Sequence, residues 1–227
     1  HPALVRRVIR CGPPATEVGA VPLLIFTMIP QTVIFFGRSG CGKGTQAELL
    51  KKYLAARDPK RSVLTVETGK ELRAFIDERV AKGNHTAQLV KDVLDRGGLL
   101  PEFLPIWIWT SYFVEHVQGD EHWILDGLSR RPSEAPVLDG AFKFYQREKP
   151  FVILMEVSRQ WSMERLLARG RHDDSEAEIN KRLDWFDENV APTIEFFKNN
   201  PDYRFIVVSG EQTPEQVHKD ILKRCFS

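Results

Sequence analysis

Residues 37–46 read GRSGCGKGTQ. Gly37, Gly40, Gly42 and Gly44 alternate with small or polar residues, and a single lysine, Lys43, sits among them. Glycines let successive backbone N–H groups turn toward one anion without Cβ clashes. Lysine is a compact cation on a flexible stem, able to follow those amides onto a phosphate. The spacing Gly37 to Lys43 is G-x-x-x-x-G-K, the pattern of a loop that holds the β- and γ-phosphates of a nucleotide. Gly44 stands where Ser or Thr is usual, and Thr45 follows one place later. Such a loop carries meaning only between a strand and a helix. TVIFF ends at Phe36, directly before it, and a helix is expected from about Lys43. The helix N-terminus would add its own partial positive charge to the nest.

What must hold that loop in place is legible along the chain. Five apolar runs read as strands: residues 32–36, 62–67, 123–126, 151–157 and 204–209. They are near-continuous in Val, Ile, Leu and Phe, as strands covered on both faces are. Helical stretches separate them, so the repeated βα order predicts an α/β fold with a five-stranded parallel sheet flanked by helices. Ser175 with Glu178, and Thr213-Pro214 with Gln216, mark two helix starts as capping boxes, the second with Pro at the first helical position. Ile179, Leu183, Phe186 and Val190 fall on one helical stripe.

Composition bounds the rest. The chain has 227 residues, 42% of them hydrophobic, with 32 Lys plus Arg against 31 Asp plus Glu. That suits one soluble domain, and the balanced charge points to neither nucleic acid nor a membrane surface. Cys11, Cys41 and Cys225 are few and far apart, which excludes a disulfide scaffold and a CxxC zinc pair and predicts a reducing, cytoplasmic setting. His85, His116 and His172 lack the spacing of a metal site. The tryptophans of PIWIWTSYF are expected in the core. Residues 1–30 are rich in Pro and Gly, and their apolar run is cut by Pro22 and Pro30. They are expected to form a poorly ordered tail, with the folded domain at 31–227.

Beyond the loop, four more stretches follow in order. They are Thr68-Gly69-x-x-x-Arg73, Gly98-Leu99-Leu100-Pro101, Leu125-Asp126-Gly127-Leu128-Ser129-Arg130, and Arg165-x-x-x-Arg169-Gly170-Arg171-His172-Asp173-Asp174 with Arg182 beyond. Together with GxxGxGKGTQ this series resembles the nucleoside monophosphate kinases, adenylate kinases in particular, from about residue 31 to the C-terminus. The resemblance implies a P-loop phosphotransferase with a small helical acceptor-binding insert at about 67–97 and a very short lid at 169–174. It implies that Gly40, Cys41, Gly42, Lys43, Gly44, Thr45, Arg165 and Gln212 bind ATP. It assigns Thr68, Arg73, Leu99, Leu100, Gly127, Arg130, Glu134, Arg171 and Arg182 to the monophosphate, AMP being the favoured acceptor. Lys43, Asp126, Arg130, Arg171 and Arg182 would carry catalysis. Phosphoryl transfer needs positioning and charge neutralisation more than covalent help, which is why guanidinium groups gather at such sites. Mg²⁺ would arrive with ATP, held by phosphates and water near Asp126 rather than by a protein cage; no zinc is implied, and a monomer is expected.

The chain departs from the family pattern in four places. Glu134 stands where a glutamine reads adenine. An ionised Glu only accepts hydrogen bonds and suits the guanine N1–H and N2–H₂ edge, whereas a protonated Glu still serves adenine. GMP, UMP/CMP or deoxynucleotide acceptors therefore stay open. Ser129 replaces the usual Pro and Lys70 the usual Asp. Only Gly170 separates Arg169 from Arg171, so the lid is short enough to predict slow ATP hydrolysis without acceptor. Ser129, Glu134 and the lid also leave open a nucleotide-binding module of weak turnover.

Overall fold

The computed structural model describes residues 29–96, 98, 100–170 and 174–226. Thr32–Phe36 forms β1, and α1 (Lys43–Arg57) follows the glycine loop without a gap. The order continues β2 (Val63–Glu67), α2 (Thr68–Val80), α3 (His85–Asp95), α4 (Phe103–His116) and β3 (His122–Asp126). Then come α5 (Glu134–Phe144), β4 (Phe151–Glu156), α6 (Arg159–Arg169) and α7 (Glu176–Trp185), which runs into a π-helical turn at Phe186–Val190. Helix α8 (Ala191–Lys198), β5 (Arg204–Ser209) and α9 (Pro214–Phe226) complete the chain.

The strands form one parallel sheet in the order β2-β3-β1-β4-β5. Every residue of β1 is buried because both faces are covered. Ile34 and Phe36 face one core with Trp109, Phe113, Trp123, Leu138, Phe142 and Phe197, contributed mainly by α4, α5 and α8. Val33 and Phe35 face the other, with Leu50 and Leu54 of α1 and Val217 and Ile221 of α9. The two-residue alternation of a strand thus assigns successive side chains to opposite helix layers. The expected strand limits hold to within one residue at each end.

Strand order turns at β1, which has β3 on one side and β4 on the other. In open parallel sheets the crevice beyond the strands' C-terminal ends at that turning point is where ligands sit. The glycine loop leaves β1 there. Helices α2 and α3 stand apart on a small core of their own, Phe75, Ala87 and Val90 packed with Leu104. Leu166, Ile179 and Leu183 make another between α6 and α7.

Both expected helix caps are present, the second as a full capping box. Ser175 Oγ accepts from the Glu178 amide at 3.3 Å. Thr213 and Gln216 exchange both bonds, at 3.2 and 3.3 Å. The expectation of a tryptophan core needs one correction. Trp109 is fully buried, but Trp107 is 42% exposed and meets Phe75 edge-on at 5.4 Å. A helix presents one stripe to the sheet, and two positions along from Trp109 is its far side. The expected tail and His172 fall, but for Ile29 and Pro30, outside the described residues.

Candidate active site

The loop between β1 and α1 has the geometry of an anion nest. Gly37 has φ 147°, and a Cβ there would stand 2.6 Å from the Met155 carbonyl oxygen, so no other residue fits. Gly42, at φ 97°, caps α1 with its backbone alone. Lys43 folds back over the loop, and its Nζ donates to the carbonyl oxygens of Gly37 at 2.7 Å and Arg38 at 3.1 Å. The ammonium therefore lies across the loop whose amides would hold a phosphate. Cys41 is 2% exposed and packs beneath. Gly44 and Thr45, on the first turn of α1, are open to solvent.

Asp126 ends β3 in register with Phe35 of β1 and Glu67 of β2. An ideal Cβ on Gly44 would lie 3.9 Å from its Oδ2, which sets the carboxyl beside the start of α1. Burial raises the Asp126 pKa, the Lys43 and Arg130 charges pull it down, and Glu67 adds to the rise. Arg130 curls back so that its Nε donates to the Gly127 carbonyl at 2.9 Å. Only a glycine allows this, since a Cβ on Gly127 (φ 75°) would lie 2.4 Å from Arg130 Nη2. Ser129 takes φ 55° and is fully buried, its hydroxyl without a partner among the described residues.

On the neighbouring strand, Thr68 opens α2 buried at 7% exposure. Exposed Arg73 approaches Glu67 Oε1 at 3.4 Å. Glu134 is the first residue of α5 and only 2% exposed. Burial lifts its pKa, opposed in part by the Arg130 amide, the Arg130 and Arg131 charges and the Trp109 indole. Leu100 packs against the small α2/α3 core. Leu99 and Arg171 lie outside the described residues.

On the other side of the loop, Arg165 lays its guanidinium over the Trp161 ring at 4.5 Å. It lines a narrow cleft with Cys41, Gly42, Thr45 and Gln212. Gln212 donates to Ser209 O and Asp220 Oδ2, each at 3.1 Å. Arg182, on α7, donates to Asp174 Oδ1 at 2.6 Å, and Arg169 grips the same carboxylate at 2.9 and 2.8 Å. Asp174 thus collects two arginines at one buried anion.

The sequence-derived candidates that can be placed therefore fall into two groups. Cys41, Gly42, Thr45, Arg165 and Gln212 line one cleft, next to Gly40, Lys43 and Gly44 in the chain. Thr68, Arg73, Asp126, Gly127, Arg130 and Glu134 gather at the adjoining ends of β2, β3 and α5. Arg182 comes from α7. Sequence reasoning missed three residues. Asp174 stands in the lid motif, and nothing local marks it as the partner of two arginines. Glu67, directly before Thr68, carries a charge that only strand pairing brings to Asp126. Arg38, inside the loop itself, reaches across to the π-helical turn.

Among the described residues no group of three or more His, Cys, Asp or Glu could hold a metal ion. A half-buried Asp126 beside Lys43 fits Mg²⁺ that takes most of its ligands from phosphates and water. No described helix is long and apolar enough to cross a membrane.

A phosphate loop at the head of the central strand, with Asp126 and Arg130 beside it and Arg165 lining its cleft, is the arrangement of a P-loop phosphotransferase. The family model described as adenylate kinase matches residues 35–201. An adenylate kinase of Prochlorococcus marinus (strain MIT 9301) is 34% identical over 167 residues, 74% of this chain and 84% of the relative. One from Synechococcus sp. (strain RCC307) is 34% identical over 187 residues, 82% and 95% of the two chains. One from Flavobacterium psychrophilum is 30% identical over 192 residues, 82% and 94%. The chain belongs to the adenylate kinase family, and its class is that of the nucleoside monophosphate kinases.

Proposed function

We propose that the chain transfers the γ-phosphoryl group of ATP to AMP, giving two ADP, reversibly and with Mg²⁺. An oxygen of the AMP phosphate attacks the γ-phosphorus, the bond to the ADP leaving oxygen breaks, and no proton need move. The observation that carries the reading is the adjacency of two strand ends. Lys43, from the loop after β1, and Arg130, from the loop after β3, are the two cations that act on Asp126.

In this reading the loop amides and Lys43 hold the β- and γ-phosphates, and Arg165 and Gln212 hold the rest of ATP. Arg73 and Arg130 hold the AMP phosphate in a planar fork, while Thr68, Leu99, Leu100 and Gly127 shape its pocket. Arg171 and Arg182 close over the transferring group. Asp126 would orient the water carried by Mg²⁺, which would supply charge neutralisation when it arrives with ATP. Each residue supplies position or charge, as a dissociative phosphoryl transfer demands. Loss of one such cation is expected to cost on the order of 10² in rate.

Burial of Glu134 supports adenine over guanine. A raised pKa favours the neutral carboxyl, which offers both a donor and an acceptor, as a glutamine does. The test is product formation from Mg-ATP with each common monophosphate in turn. AMP is expected to give the highest kcat/KM. A higher value for GMP, CMP or UMP would replace the acceptor and leave the phosphotransferase in place.

A further inference from the structure

Arg38 occupies the second position of the glycine loop, yet its side chain turns away from Lys43. Its Nη1 donates to the Val157 carbonyl at 3.0 Å and its Nη2 to Asp187 Oδ1 at 2.6 Å. The guanidinium lies over the Phe186 ring at 5.3 Å. Asp187 belongs to the π-helical turn that continues α7, five residues beyond Arg182. A second arginine reaches the same segment. Arg159, first residue of α6, pairs with Asp184 Oδ1 at 2.7 Å, approaches Asp187 Oδ2 at 4.0 Å and donates to Asn180 Oδ1 at 2.9 Å.

Phe186 and Val190 of the turn pack in the same core as Phe36 at the end of β1. An open cleft of ≈ 210 Å³ beside them is lined by Arg38, Leu154, Phe186, Asp187, Ala191 and Ile194. The directional, charge-assisted hydrogen bonds of Arg38 add to that packing in holding the loop against the turn. A π-helical turn inside an α-helix commonly marks a functional site.

We propose that Arg38 and Asp187 are positioning residues for phosphoryl transfer: the pair clamps the phosphate loop to the helix that carries Arg182, so that the arginine closes in register with the γ-phosphate. This rests on the role given to Arg182 above. The clamp touches neither nucleotide, so its loss is expected in kcat rather than in binding. Small displacements of a reacting constellation cost rate steeply.

The experiment is a double-mutant cycle with Arg38→Gln, Asp187→Asn and both together, reading kcat, the KM for ATP and for AMP, and melting temperature. Asp187 is 45% exposed on its side chain, so Asp187→Asn is expected to fold normally and can decide the matter alone. Each single variant is expected to lose about fivefold in kcat with both KM values within about twofold of the parent. The double variant is expected to be no slower than the slower single one, because coupled partners are not additive. Unchanged kcat in Asp187→Asn, multiplied losses in the double variant, or a loss carried by KM would each overturn the clamp. Arg182→Ala is measured alongside. If it is slow while Asp187→Asn runs at the parental rate, the clamp alone fails. If Arg182→Ala itself keeps the parental kcat, the site reading fails and the clamp with it.

Discussion

We propose that burial of Glu134 bears on acceptor choice. At 2% exposure its charge has little water to solvate it, and burial raises its pKa. A carboxyl whose folded pKa is raised stabilises the fold fully below its unfolded value, and that contribution is lost as pH rises through the folded pKa. Glu134→Gln removes the loss. We expect a higher melting temperature for the variant above that folded pKa, by ~1 kcal/mol or about 2–4 °C for a chain of this size. We also expect the KM for AMP to rise with pH in the parent and to stay flat in the variant; parallel profiles would contradict a neutral Glu134. At this scale the sequence was read well where chemistry is local. Gly37 to Lys43 declare themselves by spacing. Asp174 did not, because its partners Arg169 and Arg182 stand on different helices and meet only after α6 and α7 pack. The hydrophobic stripe of α7 was visible, but nothing in it announces that Phe186–Val190 widens into a π turn.

The elements explain why the sheet was so legible. A strand covered on both faces must be apolar at every position, and β1, β3 and β4 leave little other reading. The helix caps at Ser175 and Thr213 were equally plain, since their partners lie within one turn. Glu67 was not, because its proximity to Asp126 is a matter of strand pairing between distant segments. The lid is the element with the most direct kinetic consequence. Gly170, in the left-handed conformation at φ 64°, ends α6, and α7 starts at Glu176. We propose that so short a connection between helices would cover little of a triphosphate, so that water a longer lid would exclude would reach the γ-phosphate. We expect ATP hydrolysis without acceptor, slow relative to transfer but above background. It is measured as phosphate release from Mg-ATP alone, and it is expected to fall when a non-reactive AMP analogue fills the proposed acceptor site. Release at the buffer rate would show that the short lid seals as well as a long one.

Among the described residues, the charges proposed for catalysis and a second, buried set of charges occupy opposite ends of the sheet. At the N-terminal ends of β1 and β3, Arg147 donates to Thr32 Oγ1 at 2.8 Å and to the carbonyls of Gln31 and Glu121 at 3.0 and 2.9 Å. It lies over the Trp123 ring at 4.7 Å, and burial lowers its pKa to about 10. His122 is fully buried; its Nδ1 accepts from the Gln31 amide at 2.9 Å and its Nε2 lies 3.4 Å from Asp58 Oδ2. Burial lowers the His122 pKa against the pull of Asp58, while the hydrogen bond from Arg61 holds the Asp58 pKa down. Both shifts have the same sign. With a depressed histidine, the unfolded chain binds the extra proton first, so stability falls as pH drops below about 6.5. The depressed aspartate adds a further loss as pH falls below about 4. Urea midpoints are expected to decline from pH 7 to pH 5, and His122→Gln to flatten that decline whatever its absolute stability; an equally steep decline in the variant would remove His122 as its source. At the C-terminal end Lys43 and Arg130 both act on Asp126, and the central proposal is that these two cations meet the phosphates there. It is tested most directly by following ATP, AMP and ADP by phosphorus NMR with Mg²⁺, for the parent and for Lys43→Met. Two ADP should appear per ATP and AMP consumed, with a rate loss on the order of 10² or more in the variant. Transfer at an undiminished rate without the Lys43 ammonium, or no ADP from the parent chain, would contradict it.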